Sequence, residues 1–303
     1  MNRIEIRALT KEYGTTRAVD HLTFDVLPGR VTGFLGPNGA GKSTTLRLLL
    51  GLDRPTSGTA TVDGREFTSF TDPLHRVGAL LDAQAVHGGR TARDHLRVLA
   101  ASNGIAGRRV DEVLEEAGIA SAAHRRVKTF SLGMRQRLGI AAALLGDPGV
   151  LLLDEPTNGL DPEGIIWIRE LMRGLATEGR TVLVSSHLMS ETAALADHLI
   201  VLGQGRLLAD STTEAFIDAR STPRVRLRTS DPIRLRAALA RDGFELTGAD
   251  GGRWTVDGIQ AERLGSMAAR EGIPMLELTD ERASLEQAYL DLTAGHAQFS
   301  AGR

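Results

Sequence analysis

The sequence predicts an α/β fold with a parallel sheet at its centre, followed by a small α+β domain. Two continuous apolar runs, GVLLLDEP and RTVLVSSH, are typical of central strands that are covered on both faces. The segment between them, PEGIIWIRELMRGLATEG, has the apolar spacing of an amphipathic helix. Strand, helix and strand in this order form a βαβ unit, whose two strands lie parallel in one sheet.

The N-terminal part predicts further strands and one helix. NRIEIRAL and LTFDVLPGRVTGFLG contain stretches in which polar and apolar residues alternate, as they do in half-buried strands. The pair Asp63-Gly64 indicates a hairpin or another tight turn. TTLRLLLGL predicts a helix that ends at Gly51, because glycine is favoured just after a helix.

The segment from about residue 90 to 146 is predicted to be a helical subdomain. TARDHLRVLAASNG and RRVDEVLEEAG place apolar residues at helical spacing, and each stops at a glycine. TFSLGMRQRLGIAAALLG begins with a small polar loop and continues as an apolar helix. Within that helix we expect Leu138, Ala142 and Leu145 to face the core.

The character of the sequence changes near residue 220, so we predict one domain over 1–220 and a second over 221–303. The element order of the second domain is typical of a small α+β fold of the split βαβ type. Its predicted elements are a strand at 224–229, a helix at 232–242, two short strands around a turn at 249–252, a helix at 260–271, a strand at 275–278 and a helix at 284–293.

Composition excludes several classes of function. The formal net charge of −2 creates no field that would draw the chain onto nucleic acid. The chain has no cysteine, which excludes disulfides, thiolate zinc sites and cysteine nucleophiles. No run approaches the ~18 apolar residues that span a bilayer, and the first residues lack the apolar core of a signal peptide. We therefore expect any membrane role to be that of a peripheral subunit.

The segment GPNGAGKST has the spacing G-x-x-x-x-G-K-[ST] of a phosphate-binding loop. The glycines let backbone N–H groups surround a phosphate, Lys42 reaches the β- and γ-phosphates, and the Ser43 hydroxyl coordinates Mg²⁺. The alternative, a glycine-rich turn that binds nothing, is disfavoured because the loop follows an apolar strand and opens a helix. The predicted nucleotide-binding residues here are Gly36, Pro37, Asn38, Gly39, Ala40, Gly41, Lys42, Ser43 and Thr44.

Two carboxylates and a histidine follow the apolar strands. Asp154 ends one strand, where it would hold Mg²⁺ directly or through water. Glu155 follows at once and suits activation of a water molecule for attack on the γ-phosphate, provided that the chain turns there. His187 ends the next strand and could contact the γ-phosphate or the water, although a lone histidine is also common as a structural residue. All three are expected at the carboxyl edge of one sheet.

The phosphate loop, SLGMRQR, LLLDEP and SSH occur in this order along the chain. This ordered set closely resembles the ATP-binding subunits of ATP-binding cassette (ABC) transporters, over about residues 3–215. Four motifs in order are far more specific than any one of them. The resemblance implies a P-loop NTPase cassette with a parallel-sheet core, an antiparallel β part and a helical subdomain.

The resemblance also implies a role for each matching residue. Lys42 belongs to the ATP-binding loop, Asp154 corresponds to the Mg²⁺-associated aspartate, and Glu155 corresponds to the catalytic base. His187 corresponds to the switch histidine of the family. Tyr13 lies where the family usually has an aromatic residue that stacks on adenine; the alternative is an exposed tyrosine at the end of a strand.

SLGMRQR resembles the signature motif of the family, which usually reads L-S-G-G-Q. Ser131 and Gly133 are kept, whereas the first, third and fifth positions depart from the pattern. A hydroxyl and backbone N–H groups at a helix start form a phosphate site. In the family this motif completes the nucleotide site of the other subunit, and the segment Asn158-Gly159-Leu160-Asp161 matches the loop that contacts it. The resemblance thus implies a homodimer with ATP sandwiched between its subunits.

A further departure concerns the loop that usually supplies a glutamine to Mg²⁺ and to the membrane partner. In RVGALLDAQAVH, alignment on Val-Gly places Asp82 at that position, with Gln84 two residues on. We favour Asp82 as a contact to Mg²⁺ or to its water, and Gln84 remains the alternative.

The resemblance implies ATP and Mg²⁺ as cofactors, an integral-membrane permease as partner, and a position on the cytoplasmic face of a bacterial cell membrane. The ending SLEQAYLDLT resembles the tail of bacterial drug- and antibiotic-exporting subunits, which implies export of a drug, an antibiotic or a lipid-like compound. Alternatives are an ATPase acting on ribosomes or DNA, an importer subunit and a non-hydrolysing ATP binder. A single cassette without sustained heptads disfavours the first, the tail disfavours the second, and Glu155 disfavours the third.

Overall fold

The computed structural model describes residues 2–219, 223–249, 252–281 and 285–297. The chain divides into two compact units, Met1–Thr213 and Glu214–Arg303. The division lies several residues before the predicted boundary at 220. Thr213 belongs to the first unit, since its N–H donates to Asp197 O and its hydroxyl donates to Ala196 O. Within the described ranges, no helix is long and apolar enough to cross a membrane.

The first unit begins with antiparallel strands and continues with alternating helices and strands. Short 3₁₀ helices lie at Phe67–Ser69, Ala120–Ala122 and Val127–Thr129. The remaining elements, in chain order, are β1 (Ile4–Tyr13), β2 (Thr16–Val26), β3 (Arg30–Leu35), α1 (Lys42–Leu49), β4 (Ser57–Val62), α2 (Pro73–Arg76), β5 (Val77–Leu80), α3 (Ala92–Ser102), α4 (Arg108–Glu116), α5 (Leu132–Leu144), β6 (Val150–Asp154), α6 (Pro162–Thr177), β7 (Thr181–Ser186), α7 (Met189–Ala193), β8 (His198–Gly203) and β9 (Arg206–Thr212).

A six-stranded sheet in the order β5-β6-β7-β3-β8-β9 forms the centre of this unit. Neighbouring strands run parallel except β8 and β9, which pair antiparallel. The carboxyl ends of β6, β7 and β3 meet at one edge, where Asp154 pairs with Ser185 and Leu35 with Ser186. The predicted parallel-sheet core is confirmed, and the phosphate loop after β3 lies at the same edge as the acidic end of β6.

The apolar runs of the central strands are buried on both sides of the sheet. Along β6, Leu151 and Leu153 belong to one hydrophobic cluster, whereas Val150 and Leu152 belong to another. Successive side chains of a strand point to opposite faces, so the two clusters lie on opposite faces of the sheet. None of the four side chains is more than 2 % exposed. This double burial explains why β6 reads as a continuous apolar run.

An antiparallel sheet of order β2-β1-β4 forms the β part of the cassette fold. β4 ends in the turn that Asp63-Gly64 predicted. Asp63 has a φ of 51° and Gly64 a φ of 73°, and the Val62 N–H donates to Arg65 O at 2.8 Å. Two successive positive φ values are typical of a type I′ turn, which favours Asp-Gly. The predicted tight turn is confirmed.

Helices α3, α4 and α5 lie within the predicted helical segment 90–146. The Thr91 hydroxyl caps α3 by accepting a hydrogen bond from the Asp94 N–H at 3.1 Å. Leu138 and Leu145 are fully buried in the core beneath these helices, and Ala142 is half-buried against it. The core-facing positions expected for α5 are therefore confirmed.

The C-terminal unit is an antiparallel sheet with two helices on one face. Helix α8 (Thr213–Asp218) begins at the last residue of the first unit. The other elements are β10 (Arg224–Thr229), α9 (Pro232–Arg241), β11 (Leu246–Ala249), β12 (Arg253–Asp257), α10 (Ala261–Arg270), β13 (Met275–Glu281) and α11 (Leu285–Ala297). The sheet order is β11-β12-β10-β13, and Val225 and Leu227 pack with Leu235 and Leu264 in the core.

Some predicted bounds in this unit differ from the structure. The strand predicted at 275–278 continues to Glu281, because β13 pairs with β10 as far as Arg224. The last helix continues beyond its predicted end at 293 to Ala297. Its predicted first residue, Ser284, lies outside the described residues, as do residues 250–251 of the predicted turn.

Substitutions at two residues of α9 test its packing, because Leu235 is 0 % exposed to solvent and Ile233 is 79 % exposed. We expect Leu235→Ala to destabilise the C-terminal unit by about 2–5 kcal/mol, because it leaves a cavity in the core. The matched control Ile233→Ala should change stability by less than about 0.5 kcal/mol. Hydrogen exchange of the full chain, measured on peptides from α9 and β12, compares the variants. Equal loss of protection in both would contradict the described packing.

Candidate nucleotide site

The phosphate loop joins β3 to α1, as its motif requires. Gly41 stands just before the helix with a φ of 101°, and a Cβ at this position would lie 2.6 Å from Ala18 O. Only glycine satisfies both conditions. The Thr45 N–H donates to Gly41 O at 2.9 Å, which starts the helix directly after the loop. The positive end of the α1 dipole is thereby placed at the loop.

Lys42 is held inside the loop rather than in solvent. Its side chain is 6 % exposed, and Nζ donates to Gly36 O at 2.6 Å. Burial lowers the pKa of Lys42, while the charges of Glu155 and Asp154 oppose that shift. Nζ lies 4.0 Å from Glu155 Oε1. An ammonium in this position can exchange its carbonyl partner for phosphate oxygens.

Asp154 and Ser43 face each other across the sheet edge. The Ser43 hydroxyl donates to Asp154 Oδ2 at 2.7 Å, and the Ser185 hydroxyl donates to the other carboxylate oxygen. A hydroxyl and a carboxylate are hard oxygen ligands of the kind that Mg²⁺ prefers. Within the described part of the chain, no group of three or more His, Cys, Asp or Glu side chains could hold a metal ion. The hydroxyl of Ser43 and the carboxylate of Asp154 fit an Mg²⁺ ion that would complete its shell with phosphate and water.

Glu155 is turned toward the same edge by its backbone. Its φ of 49° is left-handed, and its N–H is within hydrogen-bond distance of Ser185 O at 3.3 Å and Ser185 Oγ at 3.1 Å. The turn after β6 brings Glu155 to the cleft that Asp154 also lines. His187 Nδ1 lies 2.8 Å from Glu155 Oε2, so the histidine contacts this carboxylate directly.

Lys42, Ser43, Asp154 and Glu155 line one open cleft of about 630 Å³, a volume within the range of small-molecule sites. In the part of the chain that the structure describes, His187 does not line it and reaches the site through its contact with Glu155. The cleft extends from the phosphate loop to both carboxylates and to the end of β1. Its lining residues are Tyr13, Ala18, Pro37, Asn38, Gly39, Ala40, Gly41, Lys42, Ser43, Thr44, Leu81, Asp82, Ala83, Gln84, Leu132, Gln136, Asp154, Glu155 and Asn158.

Tyr13 lies at the end of the cleft with 47 % of its surface exposed. Its hydroxyl donates to Asp53 Oδ2 at 2.9 Å, and Lys11 Nζ lies 4.8 Å from the ring centroid. Burial raises the pKa of Tyr13, and the hydrogen bond to Asp53 adds to the shift. These contacts hold the ring in position, and its exposed part is accessible to a flat ligand.

Ser131 and Gly133 are not among the described residues that line this cleft. Ser131 Oγ caps α5 by accepting from the Met134 N–H at 3.2 Å. A Cβ on Gly133 would lie 2.7 Å from Gly159 O, so the start of α5 packs closely on the segment Asn158–Asp161. Asp161 in turn caps α6 by accepting from the Gly164 N–H at 2.9 Å.

Asp82 and Gln84 both line the cleft. The Gln84 N–H donates to Asp82 Oδ1 at 2.7 Å, which forms a local turn. The structure thus places both candidates for the missing loop glutamine at the site, and the choice between them stays a prediction.

Sequence reasoning assigned no role to Ser185 or Gln136, and the structure places both at the acidic end of β6. Ser185 contacts both Asp154 and the backbone of Glu155. Gln136 Nε2 donates to Glu155 O at 3.2 Å and is nearly buried. For Ser185 the available signal was a polar residue at the end of an otherwise apolar strand, which is buried only when it has a partner. Gln136 lies between Arg135 and Arg137, so its neighbours in the sequence carry no comparable signal for its burial.

Residues 19–158 match the ABC transporter family. Residues 223–286 match a separate family described as a domain of unknown function, DUF8746. The first match includes the phosphate loop, the signature-like segment and both carboxylates. The second lies within the C-terminal unit.

Relatives and solved structures give the same family. The chain is 38% identical to the bacitracin transport ATP-binding protein BcrA of Bacillus licheniformis, over 96% of this chain and 97% of that protein. It is 40% identical to the daunorubicin/doxorubicin resistance ATP-binding protein DrrA of Streptomyces peucetius, over 75% of this chain and 71% of that protein.

A structure described as the ATP-binding subunit of an ABC transporter superposes with a TM-score of 0.65 at 27% identity, covering 71% of this chain and 92% of that one. The dimeric structure of MJ0796, a bacterial ABC transporter cassette, gives a TM-score of 0.63 at 25% identity, covering 69% of this chain and 98% of that one. With the cleft, the phosphate loop and the paired carboxylates in place, these likenesses show that the chain belongs to the ABC transporter family, as an ATP-binding subunit with ATPase activity.

Proposed function

We propose that the chain energises export of an antibiotic- or drug-like compound through a separate membrane subunit, at the cytoplasmic face of a bacterial cell membrane. The observation that supports this most is the similarity to BcrA, because it extends over nearly the whole length of both chains. A relative named for resistance to two drugs, DrrA, supports the same direction of transport. Copurification with a membrane subunit, and loss of resistance on deletion of the gene, would test the proposal.

ATP would lie in the cleft with its phosphates on the loop that precedes α1. Lys42 binds the β- and γ-phosphates, exchanging its bond to Gly36 O for bonds to phosphate oxygens. Ser43 and Asp154 would hold Mg²⁺, which neutralises charge on the two terminal phosphates. Asp82, or alternatively Gln84, supplies a further contact to the metal or its water. Tyr13 stacks on the adenine ring from the end of β1.

Glu155 acts as the general base for the attacking water. Its carboxylate lies beside Lys42 and is contacted by His187, so one oxygen is oriented by an imidazole and the other by an ammonium. Removal of the water proton by Glu155 makes the oxygen a better nucleophile toward the γ-phosphate. His187 holds Glu155 in place and stands where it can sense the γ-phosphate.

Ser131 and Gly133 complete the nucleotide site of a second copy of the chain. They start α5, where N–H groups and the helix dipole favour a phosphate, but they do not line the cleft of their own chain in the described structure. In a homodimer each α5 would face the ATP of the partner. Closure around two ATP molecules is the two-state change through which nucleotide would drive transport.

Glu155→Gln tests the base. We expect ATP binding to persist while hydrolysis falls by about 10²–10⁴-fold, because the amide cannot accept the proton of the water. The variant should form an ATP-dependent dimer on size exclusion. The matched control is Glu163→Gln in the exposed first turn of α6, which should hydrolyse ATP normally. Hydrolysis at the wild-type rate by Glu155→Gln would remove Glu155 as base.

Ser131→Arg tests the contact between copies. We expect single chains to bind ATP as before, while the ATP-dependent dimer and hydrolysis are lost because the bulky cation occupies the partner's phosphate position. The control Ser121→Arg adds the same cation at another exposed position of the helical part and should keep both properties. If Ser131→Arg abolished ATP binding by single chains while its melting temperature was unchanged, the assignment to the partner's site would be wrong.

Tyr13→Ala tests the adenine platform. We expect the Kd for ATP to rise about tenfold, because base–aromatic stacking contributes about 1–3 kcal/mol. The control Tyr13→Phe keeps the ring and should bind ATP within about threefold of wild type. Isothermal titration measures both. Equal affinities for Tyr13→Ala and wild type would leave Tyr13 as an exposed residue without a role in binding.

A further inference from the structure

The backbone of Glu155 is held in an unfavourable conformation. A left-handed φ of 49° is strained for a residue with a side chain and persists only where surrounding bonds determine it. On the amide side, Ser185 supplies two acceptors. On the carbonyl side, Glu155 O accepts from the Asn158 N–H at 3.2 Å and from Gln136 Nε2 at 3.2 Å. Gln136 is therefore a side chain from another element that fixes the peptide after Glu155.

Gln136 has the environment of a residue that must keep this bond. It is 4 % exposed and lies on α5, where Leu138 and Ile140 are buried as well. A buried amide without a partner costs free energy, because its desolvation is not compensated. The hydrogen bond from Gln136 to Glu155 O therefore constrains the rotamer of Gln136 and the position of the Glu155 carbonyl together. The side chain also reaches the cleft, close to the carboxylate whose backbone it holds.

The start of the same helix packs closely on the segment that follows Glu155. A Cβ on Gly133 would lie 2.7 Å from Gly159 O, and a Cβ on Gly159 would lie 2.4 Å from Leu132 Cγ. This close packing leaves no space for the first turn of α5 to shift without moving the segment. Leu132 and Gly133 pack on this segment and Gln136 donates to Glu155 O, so the helix that Ser131 caps is connected to the Glu155 turn at two places.

We propose that Gln136 is a positioning residue, which couples contact of Ser131 with the partner's ATP to the placement of Glu155 over the ATP of its own chain. The proposal rests on the proposed function, since it requires Glu155 to be the base and Ser131 to act between copies. Each chain then links the two nucleotides of the dimer through one helix. Hydrolysis at one site thereby depends on engagement at the other.

Gln136→Met removes the donor while it keeps a long, unbranched side chain suited to a helix. We expect kcat for ATP hydrolysis to fall about tenfold, the loss typical of one hydrogen bond. KM for ATP and the melting temperature should stay at wild-type values. In a Glu155→Gln background, the ATP-dependent dimer should still form. If Gln136 had only a structural role, Gln136→Met would lower the melting temperature and would not lower kcat at an unchanged KM.

Gln136→Glu supplies a second test through pH. The introduced carboxyl can donate to Glu155 O only while it is protonated, and when ionised it repels that carbonyl. We expect the ratio of its kcat to that of wild type to rise as pH is lowered from about 8 to about 6, since burial favours the neutral acid. The ratio for Gln136→Met should stay flat. So should the ratio for Gln260→Glu, which adds the same charge at an exposed position of the C-terminal unit.

A raised KM with unchanged kcat in Gln136→Met would show a nucleotide contact and overturn the proposal, as would wild-type kinetics. If Gln136→Met did not fold, the pH series of Gln136→Glu would decide, and a flat ratio there would overturn the proposal. The wild-type chain and the Glu155→Gln variant test the proposed function separately from the role of Gln136. An inactive wild-type chain, or an active Glu155→Gln variant, would contradict the proposed function.

Discussion

The left-handed turn at Glu155 is the constraint on which the site depends. Without it, the alternation of a strand would direct Glu155 away from the face that Asp154 serves. Ser185 on the neighbouring strand accepts from the Glu155 amide and also donates to Asp154, so a single residue of β7 fixes both carboxylates. The parallel pairing of β6 with β7 sets this arrangement, and a shift in register would break it.

Positively and negatively charged side chains lie side by side at the site. Lys42 is buried, and its ammonium is stabilised by a loop carbonyl and by the nearby charges of Glu155 and Asp154. The phosphates of ATP add negative charge to this edge, which the start of α1 and Lys42 attract and the two carboxylates repel. A divalent cation between Asp154 and the phosphates would remove that repulsion, so metal and nucleotide would favour each other's binding.

The proposed role of α5 implies that one copy of the chain makes an incomplete site. The start of α5 has the dipole and the hydroxyl of a phosphate site, yet Ser131 and Gly133 are not among the described residues that line the cleft of their own chain, whereas Leu132 between them is. The helix is packed so closely on the segment 158–161 that its first turn cannot shift independently of that segment. In the proposed dimer, the ATP of a second chain would supply the phosphate for this position, and the sheet edge and α5 would act as parts of one assembly.

Features that depend on near neighbours in the chain could be predicted from the amino-acid sequence. The spacing of GPNGAGKST predicted the loop between a strand and a helix, the apolar runs predicted β6 and β7, and Asp63-Gly64 predicted its turn. The structure alone decided which distant residues meet. Local periodicity does not encode the order β6-β7-β3, the partner of Gln136, or the length of β13, which is set by its pairing with β10. These features depend on packing between segments far apart in sequence, where burial and hydrogen-bond geometry choose the partner.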